Sequence, residues 1–289
     1  GDWIGYVPFD ELPHVLNPPE GFVVTANNRV LGTATERFYT HEWMAPFRAR
    51  RITELIQSKS AISSADMTEI QADVYSYPDA IFAREALAMA RAHGSDGGSD
   101  GADWKRLAAS LDGWDGRLTV DSTAATLTVT MRDAFNGRVL KGKLGGRAGN
   151  YSWFNREVFY SNLVERRPPN WLPPGAGSWD ALMLDVYREA RKTLADRLGA
   201  DEADWRYGRV NEFQFVHNLG EVPGLASLVN PPPFEMDGGP NTIKAIMASL
   251  GPLRRKWGSS MRMVVDFANP DGTMLNLPTG QSGQHASEH

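Results

Sequence analysis

Cysteine is absent from the 289-residue chain, which excludes disulfide bonds, cysteine nucleophiles and thiolate metal sites. Long uncharged apolar runs are also absent, and none approaches the roughly 18 residues that a membrane-spanning helix requires. The 30 Lys and Arg are outnumbered by 35 Asp and Glu, so the charge balance gives no reason to bind nucleic acid. We therefore expect a globular protein whose partners include neither nucleic acid nor a membrane.

Patterns that would indicate several common enzyme classes are missing as well. The six histidines show no His-x-x-x-His or Glu-x-x-His spacing, apart from His285 and His289 in a polar tail without a helical pattern. No two carboxylates are spaced as an acid–base couple, so a glycosidase has little support. The glycine-rich run at residues 145–150 lacks the Gly-Lys-Ser/Thr ending of a phosphate loop and is interpreted as a turn.

The distribution of apolar residues predicts helices in the middle of the chain and strands near both ends. Helical spacing begins at Pro46, and a second helix is capped by Ser63 with Asp66 three residues later. A third is predicted over residues 79–92, and the clearest spans 179–198 between Ser178 and Gly199. A short helix is predicted around residues 104–111, whereas residues 121–135 fit a strand or a helix equally well.

Two strand regions and one loop complete the predicted organisation. Residues 22–26 form a β-branched apolar run that predicts a buried strand ending at Asn27 and Asn28. Alternation over residues 261–277, around the turn at 269–272, predicts a hairpin. Residues 94–101 contain Gly, Ser, Asp and no large apolar side chain, which predicts a flexible exposed loop.

The amide pair at the end of the first predicted strand is the main candidate for chemistry. A primary amide placed there can donate hydrogen bonds to a developing oxyanion without titrating. The alternative is an amide that satisfies the backbone of a turn. Arg51 follows on the next predicted helix, where a surface ion pair is the simplest interpretation.

Short motifs follow one another along most of the chain, at residues 5–28, 46–55, 70–76, 111–116, 205–208 with His217, 238–242, 261–266 and 277–283. They include Pro8-Phe9-Asp10, an arginine helix with Arg51, and the Trp-Asp-Gly turn at residues 114–116. In this order the motifs resemble the C-terminal portion of the large chain in the penicillin acylase family of N-terminal-nucleophile hydrolases.

The resemblance implies an amidohydrolase that works through an acyl-enzyme. In this family a serine at the start of the large chain attacks an amide carbonyl, and its own α-amine accepts the proton. By the match, Asn27 supplies an oxyanion-hole amide and Arg51 helps to position the amine and the substrate. The family's serine lies upstream of the Pro-Phe-Asp motif, so we expect another part of the precursor to bring it.

The same resemblance implies the fold, the partners and the location. The fold expected is α+β, part of a four-layer αββα sandwich, with residues 1–289 as a single partial domain. The expected partners are an acyl amide substrate, the N-terminal remainder of the large chain and a small chain. No organic cofactor is expected; the family's structural calcium is possible, but the matching segment at residues 39–41 has no carboxylate. Relatives are usually periplasmic or secreted.

Two other interpretations stay open at the level of sequence. The chain could be a non-catalytic fragment or binding lobe that shapes an aromatic-lined cleft, because it carries no serine where the mechanism requires one. It could instead be a binding protein whose nine tryptophans stack on sugars or peptides, although most large rings are buried by default. The acyl group of the substrate is not determined: penicillins, cephalosporins, acyl-homoserine lactones and cyclic lipopeptides all remain candidates.

Overall fold

Helices form most of the chain in a computed structural model that describes residues 2–32, 37–151, 153, 155–222, 224–247, 254–255 and 257–277. In chain order the helices are α1 (Phe47–Gln57), α2 (Ser64–Gln71), α3 (Tyr77–His93), α4 (Gly98–Leu111), α5 (Thr123–Leu144), α6 (Arg156–Arg166), α7 (Trp179–Leu198) and α8 (Ala226–Val229). The strands are β1 (Glu212–Phe213), β2 (Phe234–Glu235), β3 (Ile246–Met247), β4 (Arg254–Arg255), β5 (Trp257–Gly258), β6 (Arg262–Val264) and β7 (Met274–Asn276). The architecture is α+β with helices preponderant.

The main hydrophobic core lies among helices α3 to α7. Each helix contributes side chains that are almost fully buried, among them Ala86, Leu107, Met131, Leu163 and Leu194. Most of residues 121–135, whose pattern fits a strand or a helix equally well, belong to helix α5. Side chains on several faces of this helix are buried. Its Thr126 and Thr128 are fully buried together with its apolar residues. A helix that is buried nearly all round shows no single apolar stripe, which explains why the apolar spacing of residues 121–135 does not distinguish a helix from a strand.

The predicted helix boundaries are confirmed where a capping residue marks them. Ser63 and Asp66 form a reciprocal capping box at the start of α2, in which each side chain accepts from the other residue's backbone N–H. The Ser178 side chain accepts from the N–H of Ala181 at the start of α7. That helix ends at Gly199, whose φ of 106° favours glycine.

Two predicted segments differ from the structure. Residues 22–26 form no strand: the region makes an isolated parallel bridge, from Asn28 to Met44, because no neighbouring strand in the described residues offers a ladder. Helix α4 begins at Gly98, so residues 98–101 of the predicted loop form its first turn. The start of α4 is held by Arg188, which contacts Asp100 at 2.6 Å and, in the next turn, Asp103 at 2.8 Å.

The sheets are small. Strand β1 pairs antiparallel with β2 and parallel with β4, β3 pairs antiparallel with β5, and the predicted hairpin is confirmed by β6 and β7. In the hairpin, Met263 lies opposite Leu275, and both side chains are exposed. The described strands do not form the two packed sheets of a four-layer sandwich, so that part of the fold stays a prediction.

A buried ion network joins three of the core helices. Arg132 of α5 contacts Asp79 of α3 (Nε to Oδ1, 2.7 Å) and also Glu157 of α6. The hydroxyl of Ser76 donates to the other oxygen of Asp79. Burial lowers the pKa of Arg132, but the charges of Asp79 and Glu157 outweigh it, and the pKa is raised overall. The network therefore fixes the relative positions of α3, α5 and α6.

Candidate active site

Asn27 lies in a tight bend between the extended segment before it and the chain leading to α1. Its φ is 63°, a left-handed conformation that asparagine tolerates better than most residues. Its carbonyl oxygen accepts from the N–H of Met44 at 2.8 Å. The backbone bridge between Asn28 and Met44 fastens the same bend. These backbone contacts hold Asn27 beside Met44, which shortly precedes α1 in the chain. The Asn27 side chain remains exposed.

The two amides of the asparagine pair have different roles. The Asn28 side chain accepts from the N–H of Ala26 at 2.9 Å and donates to the carbonyl oxygen of Arg29 at 3.1 Å, so it satisfies the backbone of a turn. The Asn27 Oδ1 instead accepts from Arg48 Nη2 at 2.7 Å. Its Nδ2 group has no hydrogen-bond partner within the described residues. Of the pair, Asn27 is the one whose Nδ2 makes no hydrogen bond to the described residues.

Arg48 is the residue that the sequence reasoning missed. Besides Asn27 Oδ1, its Nη2 donates to the carbonyl oxygen of Ala26 at 2.8 Å, so one guanidinium holds both the backbone and the side chain of the bend. Burial lowers its pKa. Helical spacing carries the signal that could have identified it, because Arg48 stands three residues before Arg51 on α1 and shares a face with it.

Arg51 forms a two-point ion pair with Asp73. Its Nε donates to Oδ1 at 3.1 Å and its Nη2 to Oδ2 at 3.0 Å, and the guanidinium lies over the ring of Tyr75 at 4.7 Å from the centroid. The hydrogen bonds that Arg51 donates to Asp73 raise the pKa of Arg51. Burial works to raise the pKa of Asp73, but the hydrogen bonds from Arg51 and the N–H of Tyr75 lower it overall.

The Trp-Asp-Gly turn places a second cation on the same carboxylate. Gly116 has a φ of 83°, and a Cβ there would lie 2.6 Å from the ring of Tyr75, so the turn requires glycine. Its carbonyl oxygen accepts from the N–H of Ser76 at 3.0 Å. Arg117 then reaches Asp73 Oδ2 with Nη1 at 2.9 Å. The family motifs at residues 70–76 and 111–116 therefore meet at Asp73.

The two predicted site residues, Asn27 and Arg51, have different hydrogen-bond partners and are not joined by a hydrogen bond in the described residues. In the described part of the chain, Asn27 hydrogen-bonds to Arg48, and Arg51 hydrogen-bonds to Asp73. Cavities of about 360 Å³ beside Phe22 and Ile62, and about 510 Å³ beside Gly142 and Pro173, are lined by other residues. The roles of Asn27 and Arg51 therefore stay predictions.

The segment that matches the family's calcium site does not offer a suitable ligand set. The Tyr39 hydroxyl donates to the carbonyl oxygen of Glu11 at 3.1 Å, the Thr40 hydroxyl accepts from the N–H of Glu42, and the His41 ring lies against Phe38. Within the described ranges, no group of three or more His, Cys, Asp and Glu side chains could hold a metal ion. The described residues of this segment therefore do not fit a calcium ion.

Comparison with known proteins decides the family. The family model for penicillin amidase matches residues 1–289. The chain belongs to the penicillin amidase family. Penicillin acylase 2 proenzyme of Pseudomonas sp. (strain SE83) is 28% identical over 310 residues, covering 100% of this chain and 37% of that relative. Acyl-homoserine lactone acylase QuiP of Pseudomonas aeruginosa is 24% identical and covers 100% of this chain and 38% of its own length.

The chain thus spans less than two fifths of the length of the curated relatives that it matches. Among solved structures, a thermostable penicillin G acylase from Alcaligenes faecalis is 21% identical, with a TM-score of 0.49 over 71% of this chain and 41% of that one. None of the helices in the described ranges is both long and apolar enough to cross a membrane. The structure describes only the first residue of the family motif at residues 277–283, and residues 278–283 lie outside the described part of the chain.

Proposed function

We propose that this chain forms the oxyanion-stabilising part of an active site that hydrolyses acyl amides through an acyl-enzyme. The observation that carries the proposal is the orientation of the Asn27 amide. Arg48 fixes its oxygen at 2.7 Å, which leaves the N–H groups of Nδ2 available to a substrate. Donors that are already oriented towards developing negative charge stabilise a tetrahedral intermediate without reorganisation.

The nucleophile belongs to another part of the precursor in this proposal. A serine at the start of a large chain attacks the acyl carbonyl, and its α-amine, with an ordinary pKa near 7.7–8.0, accepts the hydroxyl proton. The oxyanion that forms is held by Asn27 and a backbone N–H. Protonation of the leaving nitrogen releases the amine, and water then attacks the ester to release the acid and restore the serine.

Arg51 supplies positive charge beside this chemistry. Asp73 carries one negative charge but receives two guanidinium groups, those of Arg51 and Arg117. Asp73 alone therefore does not neutralise both guanidinium groups, although the charge of Glu54 also acts on Arg51. In a partly desolvated site a guanidinium charge favours an anionic group of the substrate or of the transition state. This agrees with the positioning role that the family resemblance implies for Arg51.

The names and lengths of the relatives support the substrate class and a larger precursor, and the location is proposed from the family resemblance. One relative is named as a penicillin acylase and another as an acyl-homoserine lactone acylase, which supports an acyl amide as the substrate class and leaves its acyl group open. The share of those relatives that this chain spans supports a larger precursor, with the remainder of the large chain and a small chain as partners. We place the mature protein in the periplasm or outside the cell.

The alternative interpretations have less support. Membership of the penicillin amidase family favours a hydrolase over a non-catalytic binding lobe. For a tryptophan-based binding surface, Trp104 and Trp205 are 3% and 2% exposed and so unavailable to a ligand, whereas Trp3 and Trp153 are exposed. The hydrolase is therefore the function that we carry forward.

Removing the Asn27 amide in the complete precursor tests the proposal. Asn27→Gly accepts the left-handed backbone and deletes the side chain, whereas Asn27→Asp keeps an oxygen for Arg48 and loses the N–H donors. Each variant should lower kcat for amine release from an acyl amide by about 10²–10³, the usual loss of one oxyanion donor. Asn28→Asp is the matched control, because its oxygen still accepts from Ala26, and it should keep near-normal activity. Full activity of Asn27→Gly would reject Asn27 as the donor.

A further inference from the structure

We infer that Asp73 is the positioning residue of Arg51, holding its guanidinium in one orientation for the reaction. The inference rests on the proposed function, because it concerns the arginine of that site. The two-point contact carries it: Nε meets Oδ1 at 3.1 Å and Nη2 meets Oδ2 at 3.0 Å. A planar guanidinium bound at two points is fixed in direction as well as in distance, which a single contact does not achieve.

Asp73 is itself held rigidly. The residue is 5% exposed, and its Oδ1 also accepts from the N–H of Tyr75 at 3.1 Å. Arg117 holds Oδ2 at 2.9 Å, and the carbonyl oxygen of Asp73 accepts from the N–H of Lys244 at 2.9 Å. Groups from several separate segments therefore converge on this one residue. An anchor that is fixed in this way transmits a defined position to Arg51.

Arg51 keeps donors for a further partner. A guanidinium has five N–H groups, and Asp73 accepts from two of those on Arg51. The other three have no hydrogen-bond partner within the described ranges. The side chain is 22% exposed, and the guanidinium lies over the Tyr75 ring at 4.7 Å from its centroid. Asp73 therefore orients Arg51 without consuming its capacity to bind an anion.

The kinetic test uses the complete protein with its nucleophile present. Asp73→Asn keeps the shape of the side chain but removes the charge that holds Arg51. Because a misplacement of about 1 Å can reduce a rate by roughly 10²-fold, we expect kcat to fall by about 10–10² with little change in KM. Asp66→Asn is the matched control: it weakens another Asp ion pair, with Lys59 at 2.5 Å, and should leave kcat unchanged.

A double variant separates positioning from general stability. Arg51→Lys keeps the charge but loses the planar fork, so Asp73 has no guanidinium at position 51 to orient. In that background, Asp73→Asn should cause little further loss of kcat, because the two residues act as one unit. Unchanged kcat in Asp73→Asn, or losses that multiply in the double variant, would overturn the inference.

A labelling experiment tests the anchor independently of activity. Phenylglyoxal modifies accessible guanidinium groups, and mass spectrometry can compare modification at Arg51 with that at Arg50 on the same peptide. Asp73→Asn should raise the Arg51 to Arg50 labelling ratio severalfold, whereas Asp66→Asn should not. An unchanged ratio refutes the positioning role. If the unmodified protein cleaves no acyl amide but the ratio rises as expected, the proposed function fails and the anchor stands.

Discussion

Removing the guanidinium of Arg132 should destabilise the helical core more than any comparable surface change. The residue is 8% exposed and faces two carboxylates, those of Asp79 at 2.7 Å and of Glu157. Arg132→Met preserves an apolar stem but leaves the buried carboxylate of Asp79 without a cation, while the half-buried Glu157 keeps only Arg156, at 3.5 Å. Breaking a buried ion pair in this way costs about 3–5 kcal/mol of unfolding free energy. For a chain of this size we expect a fall in Tm of roughly 6–20 °C.

Two controls make this measurement specific. Arg138 also belongs to α5 and contacts two carboxylates, Glu189 at 2.8 Å and Asp185 at 3.4 Å, but its side chain is 40% exposed. Arg138→Met should therefore cost only about 0–1 kcal/mol. A triple variant that combines Arg132→Met with Asp79→Asn and Glu157→Gln leaves no carboxylate without a cation at this junction and should recover most of the loss.

Urea unfolding followed by circular dichroism reports these differences, because helices dominate the described chain. The reasoning would be refuted if Arg132→Met lost less than about 1 kcal/mol, below the range for a buried pair. It would also be refuted if the triple variant were as unstable as the single one. Either result would mean that packing, rather than charge compensation, determines the stability at this junction of three helices.

Two further predictions concern pH and turn geometry. The pKa of His93 is raised above 6.5, chiefly by its hydrogen bond to Asp180, so its stabilising effect is full below about pH 6.5 and is lost as pH rises through the raised value. His93→Gln should therefore lose more unfolding free energy at pH 6 than at pH 9, and an equal loss at both would contradict this. Gly116→Ala should cost about 2–5 kcal/mol, combining left-handed strain with a clash against a tyrosine ring. Gly113→Ala, with φ of 72° and open space, should cost only about 1–2 kcal/mol in the same unfolding assay, and equal losses would refute the clash.

Local chemistry explains which elements the sequence could predict. The capping pair Ser63 and Asp66, and the Ser178 to Gly199 helix, depend on contacts within a few residues of one another, so their signals are complete in the sequence. The strand at residues 22–26 was predicted from composition, but a strand exists only where another segment offers a hydrogen-bonding edge. No described segment provides a ladder there, and a β-branched run alone does not form a strand.

The candidate site shows the same division between local and long-range information. Asn27 and Arg51 could be singled out from motifs, but their partners, Arg48 and Asp73, emerge only when the bend, α1 and the Trp-Asp-Gly turn are brought together. The structure also shows what spacing could not, namely that the guanidinium groups of Arg51 and Arg117 both contact the one carboxylate of Asp73. The three side chains of this ion pair stand on segments far apart in the sequence, at residues 51, 73 and 117. A convergence of that kind depends on the packing of the whole fold, so no local motif could have predicted it.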